Sequence, residues 1–416
     1  MQTSRSHRRR NIFSWLSTLA STGLSVLFFI RIKSPMNKGL YMAKMLAMAL
    51  SPFVALIGIG RALYDIESGR WPSHVAGGAS GVLAAIYVWR VLTQHVGFEK
   101  AFGPHWRDKI PPAQAARTRR ARWMWTMPHG LTRVHHPHWT RDVIYWELAQ
   151  PHADTVRPLL CDIWQPPAGV TPSGLAPIYC HGGGWSRFNK DLGTRPIFRY
   201  LAAQGHVVMD IAYRLWPETD LYGMVGDVKR AIVWLKANAH LYDVDPGYIV
   251  ISGGSAGGHL ALLTAYTPHL PALTPADLCN ADDSARAGAS VRAVVSFYGA
   301  VDMRATYKNV LGNPDISRLL GGSPDEVPDI YTLASPITHA GPGCPPTLLF
   351  QGTYDYYMPL AATRALHRKL LDAGVPSVYG EFPQTDHVFD LVLPRYSPVA
   401  RAARRDLDNF LGLMLA

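Results

Sequence analysis

Gly253-Gly254-Ser255-Ala256-Gly257 is a G-x-S-x-G run set between an apolar stretch, Tyr248 to Ile251, that reads as a strand, and a following stretch that reads as a helix. A serine at such a junction sits on a tight turn where bulky neighbours would clash, and the helix behind it presents an N-terminus that favours developing negative charge. Every residue from Gly253 to Gly258 other than Ser255 is Gly or Ala. The pattern makes Ser255 a candidate nucleophile for acyl transfer. Alone, it would also suit a glycine-rich turn with an idle serine.

Upstream, His181-Gly182-Gly183-Gly184-Trp185 follows a predicted strand ending at Cys180. Acyl transfer places negative charge on a carbonyl oxygen, and backbone N–H groups reach that oxygen only where no side chain obstructs them, so this is the place for an oxyanion hole. A serine hydroxyl also needs a base, and the base an orienting acid. Asp355 follows the apolar run Thr347 to Phe350, and His387 follows the last predicted strand, in Thr385-Asp386-His387-Val388-Phe389. The chain order is then serine, acid, histidine. His269 and His339 are alternative bases that precede Asp355 and break this order. Asp386 is the alternative acid, although adjacent side chains on an extended segment diverge.

The elements that must hold these residues alternate. Short β-rich runs at Asp142 to Glu147, Pro158 to Trp164 and Ala176 to Cys180 lead into a helix near Arg195 to Gln204, a strand His206 to Tyr213 and a helix Leu221 to His240. Beyond the elbow come strands at Val291 to Phe297 and Thr347 to Phe350, a helix near Ala361 to Ala373 and a last strand Ser377 to Phe382. Strands alternating with helices predict an α/β fold with a largely parallel sheet covered on both faces. No internal repeat appears.

The 416 residues exceed one ordinary domain, and 48% hydrophobic against 17% charged residues directs attention to membrane segments. Ile12 to Ile30 carries no charge and is flanked by Arg8, Arg9, Arg10, Arg31 and Lys33, as a membrane anchor would be. Met45 to Gly60 and Val75 to Trp89 are shorter apolar stretches, each readable as a span or a buried helix, and Gly77 and Gly81 have the spacing that seats a neighbouring helix. Residues 1–95 are thus expected to be membrane-anchoring helices, 96–140 a basic linker or amphipathic surface segment, and 141–416 the catalytic domain.

The formal net charge of +11 resides largely in Arg5 to Arg10 and Arg117 to Arg122. Beside apolar segments such clusters point to membrane lipids as partners, and no nucleic-acid-binding motif accompanies them. The basic N-tail competes with Arg31, Lys33, Lys38 and Lys44 for the cytoplasmic side, with an outward-facing catalytic domain as the expected result. The His135-His136-Pro137-His138 cluster lacks a carboxylate or cysteine at ligand spacing and reads as a loop. Cys161, Cys180, Cys279 and Cys344 lack metal-site spacing and read as buried thiols, with a Cys279–Cys344 bridge left open.

Five motifs in order resemble the hormone-sensitive-lipase-like esterases of bacteria, in the α/β-hydrolase superfamily: HGGGW, Tyr213-Arg214-Leu215-Trp216-Pro217-Glu218, GGSAGG, Gly352 to Pro359 as G-x-x-D-x-x-x-P, and DHVF. The resemblance runs from about Asp142 to the C-terminus. It implies the α/β-hydrolase fold with a small cap or lid, a triad of Ser255, Asp355 and His387, and an oxyanion hole formed by the N–H groups of Gly183, Gly184 and Ala256. Neither cofactor nor metal is implied. The implied reaction is hydrolysis of a carboxylic ester, small-molecule or lipid, through an acyl-enzyme on Ser255. An amidase, formamidase or peptidase using the same triad, and a silent binder of hydrophobic ligands, are the rival readings. Gly254 departs from the acidic residue usual there, and the apolar N-terminal part is absent from soluble members. Residues 299–345, with Trp185, are expected to lid the acyl pocket, and Arg214 and Glu218 to form an ion pair behind the oxyanion loop.

Overall fold

A chain in which strands and helices alternate must bury both faces of its sheet, and its inner strands should then be apolar throughout. The computed structural model, which describes residues 19–32, 38–67, 71–94, 97–126, 136–149, 155–279, 287–309 and 314–416, has this character. Its strands are β1 (His138–Ala149), β2 (Val156–Gln165), β3 (Gly174–Cys180), β4 (Val208–Ala212), β5 (Val244–Gly254), β6 (Ala293–Phe297), β7 (Thr347–Gly352) and β8 (Ser377–Phe382). They form one eight-stranded sheet in the order β1-β2-β4-β3-β5-β6-β7-β8. The pairs β1–β2 and β2–β4 are antiparallel, whereas β4, β3, β5, β6 and β7 run parallel. Every residue of β6 and β7 is buried, while edge strand β1 is mostly exposed.

The order reverses at β3, which has β4 on one side and β5 on the other. Parallel strands need a crossover, and the helix Leu221–Ala237 provides the one between β4 and β5. Asp220 caps it by accepting the Gly223 N–H at 2.9 Å. At such a reversal the loops leaving two adjacent strands diverge and open a crevice, so the C-terminal ends of β3 and β5 are where a site is expected.

The described residues fall into two compact units. The smaller comprises those of Met1–His95 with Gly352–Tyr356 and Glu381–Arg405; the larger comprises those of Val96–Gln351 with Tyr357–Gly380 and Asp406–Ala416.

In the smaller unit the helices are α1 (Lys38–Ala49), α2 (Ser51–Glu67) and α3 (Trp71–Leu92), preceded by helical residues 19–27. The apolar stretch from Met45 to Gly60 is not one straight helix. It breaks at Leu50 with a 71° bend, because Pro52 has no N–H to continue α1 and its ring opposes the preceding turn, while Pro is well suited to begin α2. Among the described residues, Ser73–Leu92 is the one helix long and apolar enough to cross a membrane, and the bent pair meets the same test only as a unit. Residues 12–18 of the first apolar run and the Arg5 to Arg10 cluster lie outside the described residues. Gly77 and Gly81 do seat a neighbour: a Cβ on Gly81 would lie 2.8 Å from the Ile59 nitrogen, and one on Gly58 2.6 Å from the Gly81 nitrogen.

In the larger unit the segment read as a linker forms a helix, Pro112–Thr126. Arg122 pairs at 2.7 Å with buried Asp408, which also accepts from Tyr200 and Gln204, and Arg117 reaches the Thr171 carbonyl. Part of the second basic cluster therefore ties the fold together instead of facing anionic headgroups. Residues 299–345 include short helices at Met303–Asn309, Pro314–Leu320, Pro328–Leu333 and Pro336–His339, whose Met303, Ile316, Leu319 and Tyr331 join the core.

The close approach of α2 and α3 predicts opposite signs for one chemical change. Gly60→Ala, where a Cβ meets nothing within 4 Å, should stabilise by about 0.5–1 kcal/mol through helix propensity, while Gly81→Ala should destabilise by about 1–3 kcal/mol. Thermal melts of the detergent-solubilised protein would test this, and a gain from both substitutions would contradict the packing.

Candidate active site

Ser255 lies between the end of β5 at Gly254 and the helix Ala256–Tyr266, which it caps, with φ 55° and ψ −120°. Few non-glycine residues accept positive φ, and this one is held by both backbone groups: its N–H donates to the Phe297 carbonyl at 2.9 Å, and its carbonyl accepts from His259 N–H at 3.0 Å. The surrounding glycines are required by contact. A Cβ on Gly257 would fall 2.0 Å from the Cys180 oxygen, and one on Gly253 2.5 Å from Gly257. Cys180 closes β3 and pairs in register with Gly253 of β5, so the loop after β3 leaves beside the nucleophile turn.

That loop lies against the elbow. A Cβ on Gly182 would stand 3.0 Å from the Gly254 oxygen and 3.4 Å from the Ser255 Cβ. Gly183 at φ 137° leaves no room for a side chain, with the Arg187 oxygen 1.9 Å from its Cβ position, and Gly184 is at φ 60°. At Gly254, where the resembling family carries an acid, a Cβ would stand 3.3 Å from the Tyr179 and Tyr298 hydroxyls. An acidic side chain there would have to displace them.

Two histidines fix this loop as neutral structural groups. His181 stacks on Tyr213 at 4.5 Å, Tyr213 donates its hydroxyl to the His181 carbonyl at 2.8 Å, and burial pushes the imidazole down to about 4. Trp185 is buried and its indole N–H donates to His259 Nδ1 at 3.1 Å, which leaves the His259 Nε2–H to donate to the Ala334 carbonyl at 2.8 Å. Burial likewise pushes His259 down to about 4. The expected Arg214–Glu218 ion pair is absent: Arg214 forms a two-pronged pair with buried Asp227, and Glu218 pairs with Arg157 at 2.8 Å.

The smaller unit holds the other half of the predicted constellation. Asp355 and His387 meet through His387 Nδ1–H donating to Asp355 Oδ2 at 2.8 Å, both groups buried, which leaves Nε2 as the proton acceptor. Their loops are zipped by Thr353 N–H to Phe382 O (2.9 Å), Tyr354 N–H to Thr385 O (2.9 Å) and Gln384 N–H to the Thr353 hydroxyl (2.7 Å). Gly352 is needed for that closeness, since a Cβ there would lie 2.2 Å from the Thr385 oxygen. His387 Nδ1 bonds Asp355 and not Asp386, which forms an ion pair with Lys44 of α1, a residue whose charge the sequence offers only as a topology signal. His339 donates its Nε2–H to the Leu333 carbonyl at 2.8 Å.

Cys161 and Cys180 are buried in β2 and β3, where burial raises their thiols, and Cys344 is half-buried; the Cys279 side chain and His135 lie outside the described residues. Among the described residues no group of three or more His, Cys, Asp or Glu is placed to hold a metal ion.

A mostly parallel eight-stranded sheet of this order, with a serine elbow after one central strand and a glycine loop after its neighbour, is the α/β-hydrolase fold. The BD-FAE family model matches residues 161–370, just over half of the chain. Esterase LipQ of Mycobacterium tuberculosis is 30% identical over 332 residues, covering 77% of this chain and 74% of LipQ. The probable carboxylic ester hydrolase LipM of the same organism is 35% identical over 239 residues, covering 56% of this chain and only 53% of LipM. Among solved structures, Thermogutta terrifontis esterase 2 phosphonylated by cyclosarin is similar at 26% identity with a TM-score of 0.50, covering 64% of this chain and 92% of that one. The chain belongs to the BD-FAE family of α/β-hydrolase carboxylesterases.

The His259 bridge carries a pH signature. A histidine whose folded pKa lies below its unfolded value near 6.5 contributes stability in full above 6.5 and loses it as pH falls toward about 4. The stability advantage of wild type over His259→Gln should therefore shrink across that window by up to about 1.4 kcal/mol per pH unit. Urea midpoints at a series of pH values would check it, and a constant difference would mean that His259 is not held neutral.

Proposed function

We propose that the protein hydrolyses carboxylic esters through an acyl-enzyme on Ser255, with His387 as general base and Asp355 as its orienting acid. The N–H groups of Gly183, Gly184 and Ala256 receive the oxyanion. The observation that carries this reading is the Ser255 turn: a strained serine heading a helix, with a side-chain-free loop packed on it, has no structural use that would justify its cost of roughly 1–3 kcal/mol.

In this mechanism His387 takes the hydroxyl proton as Ser255 attacks the ester carbonyl. The imidazolium formed is stabilised by Asp355 and returns the proton to the leaving alcohol, and water then releases the acid by the reverse sequence. The esterase names of the relatives support an ester over an amide as the bond cleaved. Capture of Thermogutta terrifontis esterase 2 by an organophosphonate is the reaction expected of an activated serine, and Ser255 is its counterpart in this reading.

The substrates we propose are hydrophobic or lipid esters met at a membrane. Of the 29 large apolar side chains exposed among the described residues, 21 lie between Leu19 and Leu92, including Leu56, Leu63, Trp71 and Trp89. Apolar surface of that extent, on helices that include one long enough to span, suits lipid contact. The plasma membrane, with the catalytic residues outward, follows if the basic N-tail stays cytoplasmic and an odd number of spans follows it.

Ser255→Ala should lower kcat on p-nitrophenyl esters by about 10⁴–10⁶-fold and abolish labelling by a fluorophosphonate probe, while His387→Ala should lose kcat to a similar extent. Esters of increasing acyl length, assayed on the full-length protein in detergent, would measure both the reaction and its chain preference. Labelling that persists in Ser255→Ala would remove this serine from the mechanism.

A further inference from the structure

The pair formed by Lys44 and Asp386 has no part in the chemistry above, yet it lies beside the proposed base. Lys44, near the middle of α1, is fully buried and paired with the equally buried Asp386, and its Nζ stands 4.7 Å from the centre of the Tyr354 ring. One turn earlier on the same face of α1, Tyr41 donates its hydroxyl to the backbone carbonyl of His387 at 2.5 Å. Both contacts reach the residues around the proposed acid and base: Asp386 precedes His387, and Tyr354 precedes Asp355.

The loop they grip has little regular structure to hold it. Gln384 and Val388, on either side of His387, both lie at positive φ (57° and 55°), and the loop's own apolar tie is Phe389 packed on Phe382. The charged and titratable groups facing Asp386 are Lys44 from α1, Tyr87 from α3, and Asp355 and His387 from the loops themselves. Burial pushes the Asp386 carboxyl up to about 6, against the pull of Lys44. A buried pair of this kind is a poor source of net stability compared with apolar residues of the same size, so stability alone does not account for it. Without Lys44, Asp386 would be left buried with no cation to balance it, and the segment from Asp386 to His387 would lose its tie to α1.

We propose that α1 is the positioning element of the catalytic base: Lys44 acting through Asp386, and Tyr41 acting through the His387 carbonyl, hold the loop in which His387 bonds Asp355. The apolar N-terminal helices are then a working part of the hydrolase as well as its attachment to lipid. This inference rests on His387 being the base.

The test uses full-length protein in detergent and a short-chain p-nitrophenyl ester, with kcat and KM measured for Tyr41→Phe, Lys44→Met, Lys44→Arg and the double variant Lys44→Met with Asp386→Asn. His387→Ala is assayed alongside, and the melting temperature of each variant is recorded. Lys44→Met should lower kcat by about tenfold or more with KM changed less than about twofold, a split that a general loss of structure would not give. Asp386→Asn in that background removes the unpaired carboxyl without restoring the tie to α1, so kcat should stay low, whereas Lys44→Arg should keep most of the activity. Tyr41→Phe removes one hydroxyl and should lower kcat by about threefold to tenfold; it decides the matter alone if Lys44→Met fails to fold. Wild-type kcat in Tyr41→Phe and in folded Lys44→Met would overturn the proposal while an inactive His387→Ala left the base assignment standing. Activity surviving in His387→Ala would remove the base assignment itself.

Discussion

The contact on which the nucleophile turn depends is between two backbones: the Gly257 position packs against the carbonyl oxygen of Cys180, too close for any side chain. Cys180 ends β3 and Gly257 belongs to the first turn of the helix after β5, so the contact exists only because β3 and β5 are parallel neighbours at the reversal of strand order. From it follow the sharpness of the turn, the positive φ of Ser255 and the closeness of Gly182 to the serine. Strain at Ser255 is balanced by ordinary structure: a bond to Phe297 at the end of β6, and the start of a fully buried helix. Any substitution that separated the ends of β3 and β5 would relax the serine into a common conformation and withdraw the glycine loop from it.

Polar groups around this turn are arranged so that few of them titrate near neutral pH. His181 and His259 are kept neutral by burial; His181 donates through Nδ1 to the Gly182 carbonyl, and His259 uses both nitrogens, on the Trp185 indole and the Ala334 carbonyl. Arg214 and Arg230 share the buried Asp227, which removes the negative charge nearest the Tyr213 segment from competition. A nucleophile that depends on one base benefits from such surroundings, because a second imidazole titrating close by would offer a rival proton acceptor. The neutral histidines therefore bear on function although neither touches a reacting atom.

How much of this was legible depends on whether a feature is local in the chain. The elbow, the glycine loop and the strands that carry them are written in contiguous residues, and β8 was read at Ser377 to Phe382 without error because turn residues bound it on both sides. The contact between Asp355 and His387 is legible to the extent that each follows a strand whose end fixes where it can be. The helix Pro112–Thr126 was not, since its apolar and basic residues lack a helical period and its reason for folding is Asp408, far along the chain. The Arg214–Glu218 pairing failed for the same cause: spacing of four suggested a partner, and the actual partner, Asp227, is set by the crossover helix. Pro52, by contrast, was a signal available in the sequence for the break between α1 and α2.

Lys44 is the instructive case. Beside an apolar run, a lysine is ordinarily read as a headgroup contact that votes for the cytoplasmic side, and so it was read here. Burial with Asp386 withdraws it from that vote, because a charge neutralised inside the protein does not face a membrane surface. The basic residues set against the N-tail are then Arg31, Lys33 and Lys38, while Arg5, Arg8, Arg9 and Arg10 are undiminished. The balance moves toward a cytoplasmic N-tail, which supports the proposed outward orientation. The same pairing argues that α1 does not cross the bilayer by itself: a helix that presents Tyr41 and Lys44 to the His387 loop has given that face to protein, and only its remaining surface, where Met42 and Leu46 are exposed, is open for the lipid contact proposed above.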